Sequence, residues 1–456
     1  MKIPNLLNAD IFPIPIGDRY EKEQEDIFLI YSPFTDNATL VEKDFVQEME
    51  EYLKGENETG FEGVAEMVES LLDYENRKKC SPRLNSPDEY KRVAVLPNNI
   101  CNFSCSYCYS ANGRNGKEID KDVLQSAMDQ FVNPNRISAD SFLSLSYLGG
   151  GEPLLSWDLV QFGIEYTNEL AGRFGFPKLS YSVVTNGSVL NDNILETFKK
   201  YNVAVSVSFE ILEQIQKLQR GNFEKVSQNI KQLINNGIHP QLRSTITKEN
   251  VNLMRGMVDE VLQVYPGTRE LMMEFVTDEE SFEGTEDIRA FFETYRKNFI
   301  EAHEYGASRG LLVDASVLRN FTLLIERFCP GEFTITPEGE ISMCSRICSP
   351  KDPGYCDSIY GKVIPNKGFV VNQEKFEKLS DDNVYKHEKC ENCFAKWHCG
   401  GGCMAQKYVY SEEVLNEICD FTRNFTKDMI AKRIEQEFEK ENGIPIREAL
   451  ANMQDG

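Results

Sequence analysis

Apolar and polar positions fall into distinct regimes along the chain. Up to about residue 90, the alternating runs IFPIPI (11–16) and DIFLIYS (26–32) flank a polar, charge-rich turn and predict a β-hairpin. Phe45, Met49 and Leu53 then recur every four residues, and Val64, Met67, Val68, Leu71 and Leu72 recur at helical intervals, predicting two amphipathic helices. The stretch CSPRLNSPDEY (80–90), with its prolines, serines and Asn85, reads as a linker.

From 91 to 315 the period switches back and forth. Strand-like runs are VAVLP (93–97), FLSLSYL (142–148), LSYSVVT (179–185), VAVSVSF (203–209), PQLRSTI (240–246) and LMMEFV (271–276). Helical stretches such as DVLQSAMDQFV (122–132), NILETFKKY (193–201) and FEKVSQNIKQLI (223–234) lie between them. Strand–helix units in this order imply an α/β region with a parallel sheet and right-handed crossovers. Six units are too few for a closed eight-stranded barrel, so the expectation is an open, partial (β/α)6 TIM-like barrel, with its chemistry beyond the C-terminal strand ends. Residues 316–425 are rich in Cys, Gly and Pro with weak periodicity, a region that needs a staple other than an apolar core. Residues 426–456 read as a charged helix with a frayed tail. No internal repeat of fixed period is present.

Length and charge narrow the function classes. The 456 residues suggest about three domains. A formal net charge of −24 repels nucleic acid and anionic lipid alike. The first 80 residues hold 19 Asp and Glu against 8 Lys and Arg, so the excess is concentrated at the N-terminus. The opening MKIPNLLNADIFPIPIG lacks the features of a secretory signal, and no stretch approaches the ~20 apolar residues of a membrane span. The expected location is cytoplasmic, where clustered thiols among the 13 cysteines are read as metal ligands rather than disulfides.

Cys101, Cys105 and Cys108 form C-x3-C-x2-C directly after the first barrel strand. Three thiolates can hold three irons of a four-iron cubane and leave one iron open for an exogenous ligand. Zinc usually takes four ligands, and no fourth Cys or His lies nearby. The run CNFSCSYCY, with Tyr107 before the last cysteine, resembles the cluster motif of the radical SAM superfamily. By that resemblance the open iron chelates S-adenosylmethionine, and one electron cleaves its sulfonium to methionine and a 5′-deoxyadenosyl radical.

Further motifs carry the resemblance on. Gly150-Gly151-Glu152-Pro153 after the second strand matches the family's GGEP turn, which meets the cofactor's amino group. Thr185-Asn186-Gly187 ends the third strand as a TNG does in relatives. Ser208 stands at the S-x-D-G position, although here the run is Ser208-Phe209-Glu210-Ile211 and both the Asp and the Gly are altered. Arg220 fits the place of the arginine that salt-bridges the cofactor carboxylate; the His-Asp that usually precedes it is missing, and Arg243 on the fifth strand competes for the role.

The later cysteines, Cys329-x9-Gly339-x4-Cys344, then Cys390-x2-Cys393-x5-Cys399-x3-Cys403, then Cys419, resemble the seven-cysteine SPASM domain of peptide-modifying radical SAM enzymes. The resemblance implies two auxiliary clusters, hence three [4Fe-4S] clusters in all. One would use Cys329, Cys344 and Cys403, the other Cys390, Cys393, Cys399 and Cys419. Relatives can supply a cysteine six residues before the first, where this chain has Leu323; Cys348, Cys356 or an open iron remain for the fourth position. Structural zinc is the competing reading of this field. Cys80, beside Lys78 and Lys79, is expected to be a free surface thiol. The single, scattered His239, His303, His387 and His398 are not read as ligands. Glu274 on the last barrel strand is a candidate proton acceptor facing the cavity.

The domain organisation expected is therefore 1–90, an α+β domain resembling a peptide-leader recognition module; 91–315, a radical SAM partial barrel; 316–425, a SPASM domain; and 426–456, a C-terminal helix and tail. The resemblance implies an enzyme that abstracts hydrogen from a ribosomally made precursor peptide and forms a thioether or carbon–carbon crosslink. Its partners would be the leader-bearing precursor and a one-electron donor such as flavodoxin or ferredoxin. A formylglycine-forming sulfatase maturase is the enzyme alternative, and a non-catalytic peptide binder on the same scaffold is the alternative of another class.

Overall fold

The computed structural model describes residues 5–55, 63–73, 75, 77–82, 84–329, 331–347 and 349–452. The N-terminal hairpin is present as β1 (Phe12–Pro15) and β2 (Ile27–Ser32), and a third antiparallel strand, β3 (Asn37–Glu42), extends it. That strand escapes the hydrophobic pattern because only Val41 on it is buried. The two expected helices, Lys43–Lys54 and Val64–Leu72, follow and bury Met49, Val64, Val68 and Leu71.

Each of the six predicted strand runs overlaps a strand: β4 (Arg92–Val95), β5 (Ser144–Tyr147), β6 (Ser180–Thr185), β7 (Ala204–Ser208), β8 (Gln241–Ile246) and β9 (Glu270–Phe275). They pair parallel in chain order, and β10 (Leu312–Asp314) adds parallel to β9. Alternate residues point to opposite faces of a strand. Val93, Val95, Leu145, Tyr147, Val183, Val205, Val207, Leu242 and Leu271 therefore pack into the outer core with the helices, while Val184, Ser208, Arg243, Thr245 and Glu274 face an interior cavity.

The cysteine-rich region is more regular than its periodicity suggests. β11 (Thr334–Ile335) joins the barrel sheet parallel to β4, and β12 (Glu340–Ser342), β13 (Ile359–Ile364) and β14 (Gly368–Val371) continue it antiparallel. The result is one sheet in the order β10-β9-β8-β7-β6-β5-β4-β11-β12-β13-β14. The C-terminal helix starts well before the expected position. It runs Glu412–Asn442, capped by the Ser411 side chain, and Gly443 ends it in the left-handed region. It packs along the helix Thr285–Ser308 through Phe421 on Phe292 and Phe425 on Phe299.

The N-terminal sheet docks on the cysteine-rich region. Phe12, Ile14, Tyr31 and Phe34 share one core with Val384, Cys390, Trp397 and Ile430. Arg19 grips Glu435 with two N–H groups at 2.7 and 2.9 Å, Trp397 donates to Asp10 at 2.9 Å, and Arg433 pairs with Asp36 at 2.6 Å. The segment expected as a linker is pinned by Ser81 N–H to the Leu324 carbonyl at 2.9 Å. Cys80 is accordingly not a surface thiol: it is half-buried against this core, and burial pushes its pKa up to about 11. Among the described residues no helix is long and apolar enough to cross a membrane.

Candidate active site

The loop that follows β4 is built by its own asparagines. Asn98 accepts from Ile100 N–H at 2.9 Å and donates to the Glu152 carbonyl at 3.0 Å and to Ser156 at 2.6 Å. Glu152 N–H in turn donates to the Ile100 carbonyl at 2.7 Å. This clamps the turn after β5 onto the segment that leads into Cys101. A Cβ on Gly151 would sit 2.1 Å from the Ile100 carbonyl oxygen, so only glycine permits the approach. Gly150 adds a φ of 100° and would meet Asn99 at 2.9 Å. The glycines of this turn thus seat the cysteine loop.

Glu152 is 2% exposed. Its carboxylate accepts from Leu154 N–H (3.0 Å), Thr185 hydroxyl (2.6 Å) and Asn186 N–H (2.6 Å), and Pro153 starts the short helical turn beyond it. Burial raises its pKa, and these donors hold it back. Two carboxylate oxygens offer about four lone-pair sites, so about one remains for a ligand. The Asn186 amide donates to Asn102 at 2.9 Å and reaches Cys101 Sγ at 3.9 Å.

Glu210 is a functional-site residue that sequence reasoning passed over. It is fully buried and accepts from Tyr107, Arg220 (2.6 Å), Ser244 (2.7 Å) and Thr245 N–H (2.9 Å). The signal was available, because Glu210 stands where relatives carry the Asp of S-x-D-G, one methylene longer. Ile211, at that motif's glycine position, is forced to φ 63° although β-branched and fully buried. Arg220 lies over the Tyr107 ring at 5.2 Å and points a guanidinium nitrogen at Cys105 Sγ, 3.7 Å away. Its positive charge is met by Glu210. The Arg243 guanidinium faces the cavity and, among the described residues, has neither hydrogen bond nor ion pair.

The thiols gather as sets. Burial raises the Cys105 pKa; Arg220 opposes the rise, and neighbouring Cys108 and Cys101 add to it. Cys344 is pushed up to about 12 by burial, with Cys403 and Cys329 contributing, and Cys329 to about 11. Cys399 is pushed up to about 12 by burial, with Cys419, Cys393 and Cys390 contributing. Buried thiols that repel one another's ionised forms need added positive charge to become thiolates, and iron–sulfur clusters supply it. Among the described residues no three His, Cys, Asp or Glu side chains are drawn together as a single metal ion requires. Cubane ligands bind separate irons and need no such convergence. The buried thiol sets thus have the chemistry to hold clusters. Cys348 lies outside the described residues; Cys356 is exposed and does not line the cavity.

One cavity of about 680 Å3 connects these groups. Cys101, Cys105 and Cys108 line it beyond the C-terminal end of β4. Because β11 runs parallel to β4, Cys329 before it lies at the opposite end, and antiparallel β12 returns there just before Cys344. The cavity thus passes through the barrel from one thiol set to the other. Glu274 lines its wall and accepts from Ser316 N–H (3.0 Å) and hydroxyl (2.7 Å) through one oxygen. His398, beside Cys399, is no ligand: its ring meets Tyr31 hydroxyl at 2.6 Å and the Leu323 carbonyl at 2.8 Å, and burial lowers its pKa to about 4.

Comparison with known proteins agrees with this geometry. Residues 95–264 match the radical SAM superfamily. The radical SAM cyclopropyl synthase TigE of Paramaledivibacter caminithermalis is 24% identical over 91% of this chain and 88% of its own length. The cysteine-type anaerobic sulfatase-maturating enzyme of Clostridium novyi is 21% identical over 73% of this chain and 93% of its own. Among solved structures, anSMEcpe with bound AdoMet superposes with a TM-score of 0.57 at 14% identity, covering 75% of this chain and 98% of that one.

Proposed function

The chain carries a radical SAM domain and is a radical SAM enzyme, and from that premise we propose that it closes a carbon–carbon or thioether bond within a precursor peptide. The observation that carries this reading is the single cavity lined at one end by Cys101, Cys105 and Cys108 and at the other by Cys329, Cys344 and Cys403. A substrate threaded between them can be reached from both sides. The relative named a cyclopropyl synthase, aligned over most of both chains, favours the carbon–carbon outcome. anSMEcpe, whose fold this chain shares, has been solved with a peptide bound.

In this reading Cys101, Cys105 and Cys108 hold a [4Fe-4S] cluster with S-adenosylmethionine, and the SPASM thiols hold two auxiliary clusters. When bound, these groups supply one-electron cleavage of the sulfonium, hydrogen abstraction and an acceptor for the electron the product gives up. The protein's own residues do the rest. Glu152 offers its remaining lone pair to the cofactor's ammonium. Arg243, the guanidinium without a partner, receives the cofactor carboxylate, with Ser208 beside it on the neighbouring strand. Arg220 braces Tyr107 and Glu210 behind the loop rather than meeting the carboxylate. Glu274 takes the proton lost from the substrate carbon on the oxygen that Ser316 leaves free. The outer edge of β3, unpaired among the described residues, accepts the leader as an added strand.

The test is anaerobic turnover of the reconstituted protein with S-adenosylmethionine, a reductant and a precursor peptide encoded beside the gene. A crosslinking enzyme yields 5′-deoxyadenosine and a peptide lighter by two hydrogens. A formylglycine-forming enzyme instead removes the sulfur of a cysteine. No 5′-deoxyadenosine at all would leave only a peptide binder.

A further inference from the structure

Each of the three loop thiols has a nitrogen donor from a different place in the fold: Asn186 toward Cys101, Arg220 toward Cys105 and Arg114 toward Cys108. The third differs from the others. Arg114 donates to Cys108 Sγ at 3.3 Å and to the Phe103 carbonyl at 2.6 Å. Its Nε is buried and has no hydrogen-bond partner. Among the described residues no carboxylate lies within ion-pair distance of it, whereas Arg220 is paired with Glu210. A partly buried guanidinium without a carboxylate is costly unless another anion answers it. The anion within reach is Cys108 in its thiolate form. Ser110 hydroxyl stands 3.4 Å from the same sulfur.

We propose that Arg114 is a positioning residue that raises the reduction potential of the site cluster through Cys108. The inference rests on the cluster reading of Cys101, Cys105 and Cys108. Reduction adds one negative charge, so a fixed cation and hydrogen bonds at a ligand sulfur stabilise the reduced form more than the oxidised one. Asn186 brings no charge, and the charge of Arg220 is spent on Glu210. Of the three nitrogen donors that reach the thiols, Arg114 is the one that brings a positive charge no carboxylate answers among the described residues.

The experiment is a potentiometric titration of the full-length, reconstituted protein followed by electron paramagnetic resonance. The site cluster is identified as the signal that changes when S-adenosylmethionine is added. Arg114→Met is expected to keep its iron and shift that signal's midpoint to more negative potential by at least a tenfold change in the one-electron equilibrium, about 59 mV. Arg114→Lys, which restores the charge, is expected to recover most of the shift, and Ser110→Ala to give a smaller shift of the same sign. An unchanged midpoint in Arg114→Met with site iron retained overturns the proposal. So does loss of site iron in both Arg114 variants, which would make the residue a pin for the loop at Phe103. If the wild-type protein shows no signal responsive to S-adenosylmethionine, the cluster reading itself falls, and the proposal falls with it.

Discussion

Two cysteine fields of one chain are built in contrasting ways. Cys101, Cys105 and Cys108 line an open cavity, and each has a side-chain nitrogen reaching toward its sulfur. Cys390, Cys393, Cys399 and Cys419 form a second set, of which Cys399 alone reaches the cavity wall. Cys390 belongs to the core shared with the N-terminal sheet, Cys399 follows a histidine locked by Tyr31, and Cys419 sits on the helix Glu412–Asn442. In the proposed cluster reading, three thiols beside a cavity leave room for a reacting molecule, and four thiols tied largely into a core make a staple. Environment, more than residue type, separates a working site from a structural one.

The sharpest way to break the comparison is to remove the open set. The triple variant Cys101→Ala, Cys105→Ala, Cys108→Ala should abolish 5′-deoxyadenosine formation and lower iron from about twelve to about eight per chain while the fold survives. Iron analysis and product chromatography check it. The converse, Cys399→Ala with Cys419→Ala, should lose iron and lower the thermal midpoint, because metal binding at a closed site contributes directly to folding. Cleavage of S-adenosylmethionine should persist there; if cleavage vanished at unchanged stability, the two roles would be reversed.

Glu152→Ala tests the seat of the open site. It leaves three donors unpaired at about 1–3 kcal/mol each, so a loss of several kcal/mol in denaturant unfolding is expected, with weaker cofactor binding by calorimetry. Tyr31→Phe tests the staple. Removing the hydroxyl orphans one nitrogen of His398, about 1–3 kcal/mol, and should leave the potential of the site cluster where it was.

The smallest effect concerns pH. Burial acts to raise the Glu435 pKa, but Arg19 and Tyr20 outweigh it and the net shift is downward. A carboxylate depressed in the folded state adds stability above its unfolded pKa of about 4.3 and loses it as pH falls through the folded value. Arg19→Ala should therefore cost about 1 kcal/mol at neutral pH, and the difference from wild type should shrink on acidification below about pH 4. Denaturant unfolding across that range measures it.

These contacts also bear on a simpler experiment. Deleting residues 1–90 would remove more than the proposed leader-binding edge, because Tyr31, Phe34, Asp10 and Arg19 all support the cysteine-rich region. Substitutions confined to β3 separate the two roles.

The barrel was legible in the sequence because its strands alternate and its helices carry continuous apolar faces. The three-cysteine loop and the GGEP turn were legible as spacings. What stayed hidden has physical causes. β11 has two residues and pairs with β4, far away in the chain, so no local period marks it. β3 buries one residue. The dock between Arg19 and Glu435 joins positions 416 apart, beyond any pattern of neighbours. Glu210 hid behind a one-methylene departure from the expected Asp. The proposal of Arg243 rather than Arg220 for the cofactor carboxylate needed side-chain geometry, since only that shows which guanidinium is already occupied.

The barrel wall doubles as a ruler. The strands that separate the two ends of the cavity are four to six residues long, and at about 3.3 Å per residue they set a fixed gap of about 13–20 Å. Because β11 is hydrogen-bonded to β4, the two ends of that gap are tied through one sheet. Selection on this enzyme can reshape loops at either mouth and alter which molecule enters, while the span between the two thiol sets stays constant.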